Sequence, residues 1–358
     1  MNDRARHLPV NAVPENRTSG AFEFELLNRF QRDFPLAERP YAAIAACLGA
    51  EERDVIAAYA RLAESGAVSR IGAVFRPGAV GASALAAMRV PPEDLEAVAA
   101  RISAHAEVSH NYERNHDFNL WFVAGAADSR ALDLLFASIR AFTGYEVLPL
   151  PLIEEYHVDL GFDLAASAAY RPPRHRGAAR PTRPVAVDLD ESERHLVAAM
   201  QEGLALVSRP YERLATRAGM TEREVIDAIA RWTEQGIIRR WGVVVRHREL
   251  GYRANAMAVW NVPDTTVAEV GMRLAREPRV TLAYRRARHR PQWDYNLYCM
   301  IHGRERDEVE RVASAVARSA GVDDYPHALL FSRRRFKQSG ARMYARLGGT
   351  ETWMRSTG

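Results

Sequence analysis

Residues 109–122 read SHNYERNHDFNLWF, which sets two histidines, an arginine, a tyrosine and two carboxylates just ahead of an apolar run. Residues 283–300, AYRRARHRPQWDYNLYCM, repeat the arrangement with a longer basic stretch. The planar fork of arginine pairs bidentately with carboxylate. Imidazole titrates near neutral pH, where it gives and takes protons. Side by side, these groups suit a polyanionic ligand that has to receive a proton. In the first cluster His116 is the leading candidate for general acid, and His110 either shares that role or ligates a metal carried by the ligand. Arg114 is the candidate carboxylate clamp, with Tyr112 beside it, while Glu113 and Asp117 orient or neutralise these cations. The competing readings are a surface histidine for His116 and a structural hydrogen bond for His110.

The second cluster supplies Tyr284 and Arg285 as counterparts of Tyr112 and its cationic loop, then Arg286, Arg288, His289, Arg290 and Trp293. Such a charge run is commonly a solvated face, yet it stands where the first cluster stands. Arg76 and Arg246 end equivalent strands and are candidate carboxylate anchors; His247 follows only in the second copy. Lys337 is the single lysine of the chain and joins the candidate ligand contacts.

Something must hold these residues in place. A strand from Asp117 to Val123 would alternate its faces, sending Phe118, Leu120 and Phe122 to the core. Asp117, Asn119 and Trp121 would then share the other face, where Trp121 lines a pocket or packs against helices. Internal repetition explains why the arrangement occurs twice. RPYAAIAACLG (39–49) answers to RPYERLATRAG (209–219), and SRIGAVFRPGAVG (69–81) to RRWGVVVRHRELG (239–251), both 170 residues on. DFNLWFVAG (117–125) answers to DYNLYCMIHG (294–303), 177 residues on, so a few residues are inserted before the second copy.

Each half begins with three helices, the third opened in the second half by the capping pair Thr221 and Glu224 and stopped by Gly236. Two β-branched runs, a helix, two strands, a helix and a strand follow. The reading is α+β: two tandem halves, each a winged helix-turn-helix domain followed by a ferredoxin-like β-α-β-β-α-β domain, forming a pseudo-dimer. The expected boundaries are a tail at 1–20, helix-turn-helix domains at 21–76 and 189–246, and ferredoxin-like domains at 77–164 and 247–344. A Pro-, Ala- and Arg-rich linker occupies 165–188 and a second tail 345–358.

Bulk properties exclude little. The 358 residues suffice for several cores, and no apolar stretch approaches the roughly 20 residues that span a bilayer. The N-terminal residues lack the apolar core of a signal peptide. Cys47 and Cys299 make neither a disulfide framework nor a metal-ligand spacing, so the cytoplasm is the default compartment. A net charge of +4 is mild, and 48 of the 49 basic residues are arginine, so composition alone selects no partner.

This order of domains resembles the Lrp/AsnC family of transcription regulators. The finer motifs SRIGAVFRPGAVG, HNYERNHDFNLWF, YRRARHRPQWDYNLYCMIHG and FSRRRFKQSGARMY look like sirohaem decarboxylases, which share that architecture, with a D-type first half fused to an L-type second half. The resemblance implies loss of CO2 from two acetate side chains of sirohaem, leaving methyl groups in didecarboxysirohaem, a step of haem d1 biosynthesis. It implies no organic cofactor, because the macrocycle itself accepts electrons and carries the iron. The implied partners are sirohaem and other haem d1 biosynthesis proteins, with no membrane, and the fused chain is complete alone or pairs again as a homodimer. Two other readings stand beside it: a DNA-binding regulator and a tetrapyrrole carrier without turnover. DNA is disfavoured because the third helices expose Glu51, Glu52 and Asp54, and Glu222, Glu224 and Asp227, which phosphate repels.

Overall fold

The computed structural model describes residues 19–158, 183–245 and 254–344. The first half runs α1 (Ser19–Arg29), α2 (Pro40–Leu48), α3 (Glu52–Glu64), β1 (Val68–Phe75), β2 (Ala82–Met88), α4 (Leu95–Ala104), β3 (Val108–Arg114), β4 (Leu120–Ala126), α5 (Ser129–Thr143) and β5 (Leu148–Val158). The second half repeats the order as α6 (Glu191–Met200), α7 (Pro210–Ala218), α8 (Glu222–Glu234), β6 (Ile238–Val245), β7 (Ala254–Trp260), α9 (Val267–Leu274), β8 (Val280–Arg286), β9 (Leu297–Gly303), α10 (Arg306–Ala320) and β10 (His327–Gln338).

Local chemistry sets the helix ends. α2 and α7 each start with proline in the first turn and stop at a left-handed glycine, Gly49 and Gly219. α6 and α8 open with complete capping boxes, Asp190–Glu193 and Thr221–Glu224. Both helical domains then merge into one core. Tyr41 donates its hydroxyl to Ala205 O (2.8 Å), and Tyr211 donates to Pro35 O (2.7 Å), reciprocal bonds between halves. The two wings do not reach outward: β1 and β6 pair antiparallel with each other.

In each half the four ladder strands take the ferredoxin-like order, β5-β2-β4-β3 and β10-β7-β9-β8, and the two sheets close into one eight-stranded barrel. Closure is by exchange. β5 pairs first with β2 and then, from Leu152 onward, with β8. β10 pairs first with β7 and then, from Ser332 onward, with β3. Helices cover the outer faces. The barrel centre is filled by Phe118, Trp121, Trp293, Tyr298, Leu150, Leu330 and neighbouring apolar side chains.

One sequence expectation is corrected. β4 begins at Leu120, not Asp117; the Asn119 carbonyl still accepts from Arg114 N–H (2.8 Å), while its side chain exchanges hydrogen bonds with the backbone of Val90. Phe118 therefore packs with Trp121 in the barrel centre rather than with Leu120 and Phe122. Residues 183–188, the described end of the expected linker, run along the first half: Val187 N donates to Ala79 O (2.9 Å) and Pro184 covers Gly78.

Gly242 of β6 has no room for a side chain, since a Cβ there would strike the Phe30–Gln31 backbone. Its counterpart Gly72 meets only ordinary contacts. Gly242→Ala is therefore expected to destabilise the chain by about 1–3 kcal/mol, and Gly72→Ala by clearly less, as compared by denaturant melts.

Candidate functional site

Alternation along β3 puts His110, Tyr112 and Arg114 on one face, turned into the barrel. The row spans about 13 Å at the usual strand rise. The His110 and Tyr112 rings lie parallel at 6.3 Å, and the Arg114 guanidinium sits 5.9 Å from the Tyr112 ring centre. Arg114 is only 7% exposed. One of its terminal nitrogens donates to Leu330 O (2.8 Å), while its Nε is buried with no hydrogen-bond partner among the described residues. A buried guanidinium with an orphan donor is a site that an entering carboxylate would complete. Arg335 stands opposite Tyr112 in the β10–β3 ladder and so shares its face.

His302, which the sequence reading missed, extends this constellation. It lies on the same face of β9 as the central Tyr298, and the positive charge of Arg114 reaches it. Burial and that charge push its imidazole down to about 4. His110 is likewise held at about 4, first by burial and then by Arg70. The Ser109 hydroxyl lies within hydrogen-bond reach of both His110 Nδ1 (2.9 Å) and Val123 O (3.3 Å), which fixes the imidazole through its Nδ1 edge. Both rings are neutral near pH 7, each restrained by an arginine. The signal for His302 was period-two alternation in NLYCMIHG, where the equivalent first-half residue is Gly125.

The matching row on β8 is Leu282, Tyr284 and Arg286. Arg286, rather than Arg285, is the counterpart of Arg114. Its guanidinium lies 5.2 Å from the Tyr284 ring centre and donates to Leu150 O (2.9 Å), as Arg114 does to Leu330 O. Arg285 points to the outer face, bonded to Asp264 (3.0 Å) and near Glu154 (3.6 Å). Opposite Tyr284 stands Glu155, 5% exposed and paired with Arg239, with Arg76 close by.

Other expected contacts are placed elsewhere. Trp121 and Trp293 were expected against a ligand, but they are 1% and 2% exposed and pack edge to face at 5.1 Å in the barrel centre. Their indole nitrogens donate to Phe118 O and the Tyr298 hydroxyl. Asn119 likewise lines no pocket, being spent on Val90. His116 does not join the β3 row. It sits in the loop after β3, half-buried, with its ring edge-on to Trp293 at 5.3 Å. It accepts from Phe118 N–H at Nδ1 (3.0 Å), so the neutral ring carries its proton on Nε2. Burial lowers its pKa, Asp117 opposes that, and Arg89 adds to it.

Lys337 donates to Ser103 O (2.8 Å) and His105 O (2.6 Å), which makes it a cap on the C-terminus of α4 rather than a pocket cation. Arg288 is consumed by Asp264, Asn261, Val262 O and Asp294 O. His289 exchanges backbone hydrogen bonds with Trp293. Arg290 pairs with Asp294 at the surface. Arg76 reaches toward Val185 O (3.5 Å). Arg246 and His247 lie outside the described residues. A cleft of about 410 Å³ opens over Arg285, Arg286, Arg288, Arg290 and Asp264, but its ion pairs leave it less cationic than its arginine count suggests. Among the described residues no cluster of three or more His, Cys, Asp or Glu could hold a metal ion, and no helix is long and apolar enough to cross a membrane.

Comparison with known proteins adds to this geometry. A family model described as a siroheme decarboxylase NirDL-like HTH domain matches residues 23–68 and 193–239, and one described as an AsnC-like ligand binding domain matches 79–157 and 249–337. The chain is 43% identical over 327 residues to the siroheme decarboxylase NirDL subunit of Paracoccus denitrificans, covering 90% of this chain and 98% of that one. A crystal structure of the siroheme decarboxylase NirDL superimposes with a TM-score of 0.65 at 30% identity, covering 90% of this chain and 94% of that one. A second, in co-complex with an iron-uroporphyrin III analogue, does so at 0.64 and 29% identity, covering 92% and 95%.

A histidine whose folded pKa lies below its unfolded value binds fewer protons when folded, so stability falls as the pH drops from about 6.5 toward about 4. Thermal midpoints across that window are expected to decline in the native chain. His110→Asn and His302→Asn should each flatten the decline; an unchanged slope in both would show that these rings do not titrate as buried groups.

Proposed function

The chain belongs to the sirohaem decarboxylase family, with both halves of that enzyme in one polypeptide, and from that premise we propose where on this fold the reaction takes place. The enzyme is a carboxy-lyase that converts two acetate side chains of sirohaem to methyl groups, giving didecarboxysirohaem, a step that serves haem d1 biosynthesis. Each event breaks one C–CO2 bond, releases CO2 and consumes one proton at the methylene carbon. The bond electrons pass into the macrocycle, once a ring carbon beside the acetate is protonated, and return as that proton is lost. The iron arrives within the substrate.

The reacting ring lies along the His110–Tyr112–Arg114 row. The observation that carries this reading is the buried Arg114, with its orphan Nε, and the buried His302 that burial first, and the Arg114 charge second, hold in the neutral form. Arg114, Arg335 and Arg70 hold the carboxylates that remain, since a clamp on the departing one would stabilise the ground state instead. Tyr112 offers the macrocycle an aromatic face next to His110. Burial is the larger cause of the lowered pKa at His110 and His302; substrate carboxylates offset the arginine contribution and favour protonation of both imidazoles as the polyanion enters. Proton delivery is thereby tied to occupancy. His302, which the Arg114 charge reaches, acts as proton donor, and His110 either donates the second proton or ligates the iron. His116, at the rim against Trp293, is assigned to binding rather than to proton transfer.

Anaerobic incubation with sirohaem, followed by mass spectrometry, tests these roles. His302→Ala is expected to lower turnover by about 10²- to 10⁴-fold, the usual contribution of a general acid, while sirohaem still binds. His116→Ala should retain most turnover, and the opposite ranking would return the acid role to His116. Arg114→Lys should not restore what Arg114→Ala loses, because an ammonium lacks the bidentate fork. Calorimetry of binding in buffers of different ionisation enthalpy should show net proton uptake at neutral pH.

A further inference from the structure

The two halves build matching rows, but their charges differ at one decisive place. On the outer face the same ion pair occurs twice with signs exchanged: Arg334 of β10 against Glu113 of β3 (3.3 Å), and Glu154 of β5 against Arg285 of β8 (3.6 Å). That exchange leaves both sheets equally balanced. On the inner face no such compensation occurs. Arg335 stands opposite Tyr112, whereas Glu155 stands opposite Tyr284, and His110 is answered by Leu282. The Glu155 carboxylate is buried, bonded to Arg239 of β6 and near Arg76 after β1, so it already occupies two cations of the wings beside the β8 row, while Arg286 of the row itself bonds Leu150 O. The segment ahead of α6 adds to the closure. Arg183 lies 3.6 Å from Glu154, and Val185 O lies within reach of Arg76.

Resting on the assignment of the reaction to the β3 row, we infer that each chain binds a single sirohaem, and that Glu155 with its arginine partners excludes the substrate from the pseudo-equivalent pocket along β8. A carboxylate at this position acts in two ways. It repels the acetates and propionates of the substrate, and it spends Arg239 internally, so a polyanion would have to break a buried pair in order to enter. Glu155 is thus a specificity-determining residue that assigns both decarboxylations to one site. The product of the first must turn or rebind in that site before the second.

Titration of the native chain with sirohaem under anaerobic conditions, followed by the tetrapyrrole absorbance, is expected to break at one equivalent per chain. Arg114→Ala and Arg286→Ala remove the same bond to a β-strand carbonyl in the two halves, so their structural costs are matched. Arg114→Ala should weaken the binding event by about tenfold or more, while Arg286→Ala leaves it unchanged. Glu155→Gln should add a second, weaker event; Glu155→Arg, which copies Arg335, serves if the glutamine variant melts at lower temperature. Two equivalents in the native chain, or one equivalent in a folded Glu155→Gln chain, would overturn the inference. One equivalent that depends on Arg286 and not on Arg114 would leave the stoichiometry standing and overturn the assignment to the β3 row.

Discussion

Neither half of this molecule can close its own sheet. The last strand of each begins beside its own β-α-β-β-α unit and ends in the other's ladder, so the barrel exists only when both halves are present. An exposed edge would otherwise invite pairing with another chain, and here each half supplies the cover for its neighbour's edge. The inner rows follow from this exchange. Arg335 meets Tyr112, and Glu155 meets Tyr284, only because β10 and β5 cross the boundary. Reciprocal tyrosine bonds and the paired wings fix the helical domains by the same two-fold logic. The wings are committed to each other, and the first turns of α3 and α8 are acidic.

Within that frame the electrostatics are local. Burial alone disfavours charged imidazole, and one adjacent arginine at each of His110 and His302 adds to the effect. In the proposed site such a pair would gain protons as the negative charge of the substrate arrives. The aromatic packing of Trp121, Trp293 and Phe118 fills the centre of the barrel between the two rows.

Much of this architecture was legible in the sequence. Repetition at 170 residues, capping boxes and left-handed glycines set the order of elements, because these signals are local. The candidate site was legible in type more than in place. His110, Tyr112 and Arg114 are two apart, and the strand period alone aligns them. His116 lies beyond the point where Asn119 turns aside to Val90, and that tertiary bond leaves no local trace. Lys337 was singled out for rarity, yet its position sends it to the α4 carbonyls. His302 escaped notice because its partner Arg114 is nearly 190 residues away in the other half. β10 proved longer than its apolar run suggested, since SRRRFKQ pairs with a strand that sequence proximity does not reveal.

The inserted peptide between the halves carries an evolutionary consequence. In a symmetric pair of identical subunits, every mutation appears on both sides of the axis, so a glutamate that silences one pocket silences its twin. Once the copies lie on a single gene, each pocket mutates independently. The exchanged strands then let a change in the first half act on the second half's row without touching its own. Divergence of this kind preserves the scaffold, because the ladder bonds belong to the backbone, while function drifts to one side. A duplicated fold thus gains the freedom to specialise that identical subunits lack.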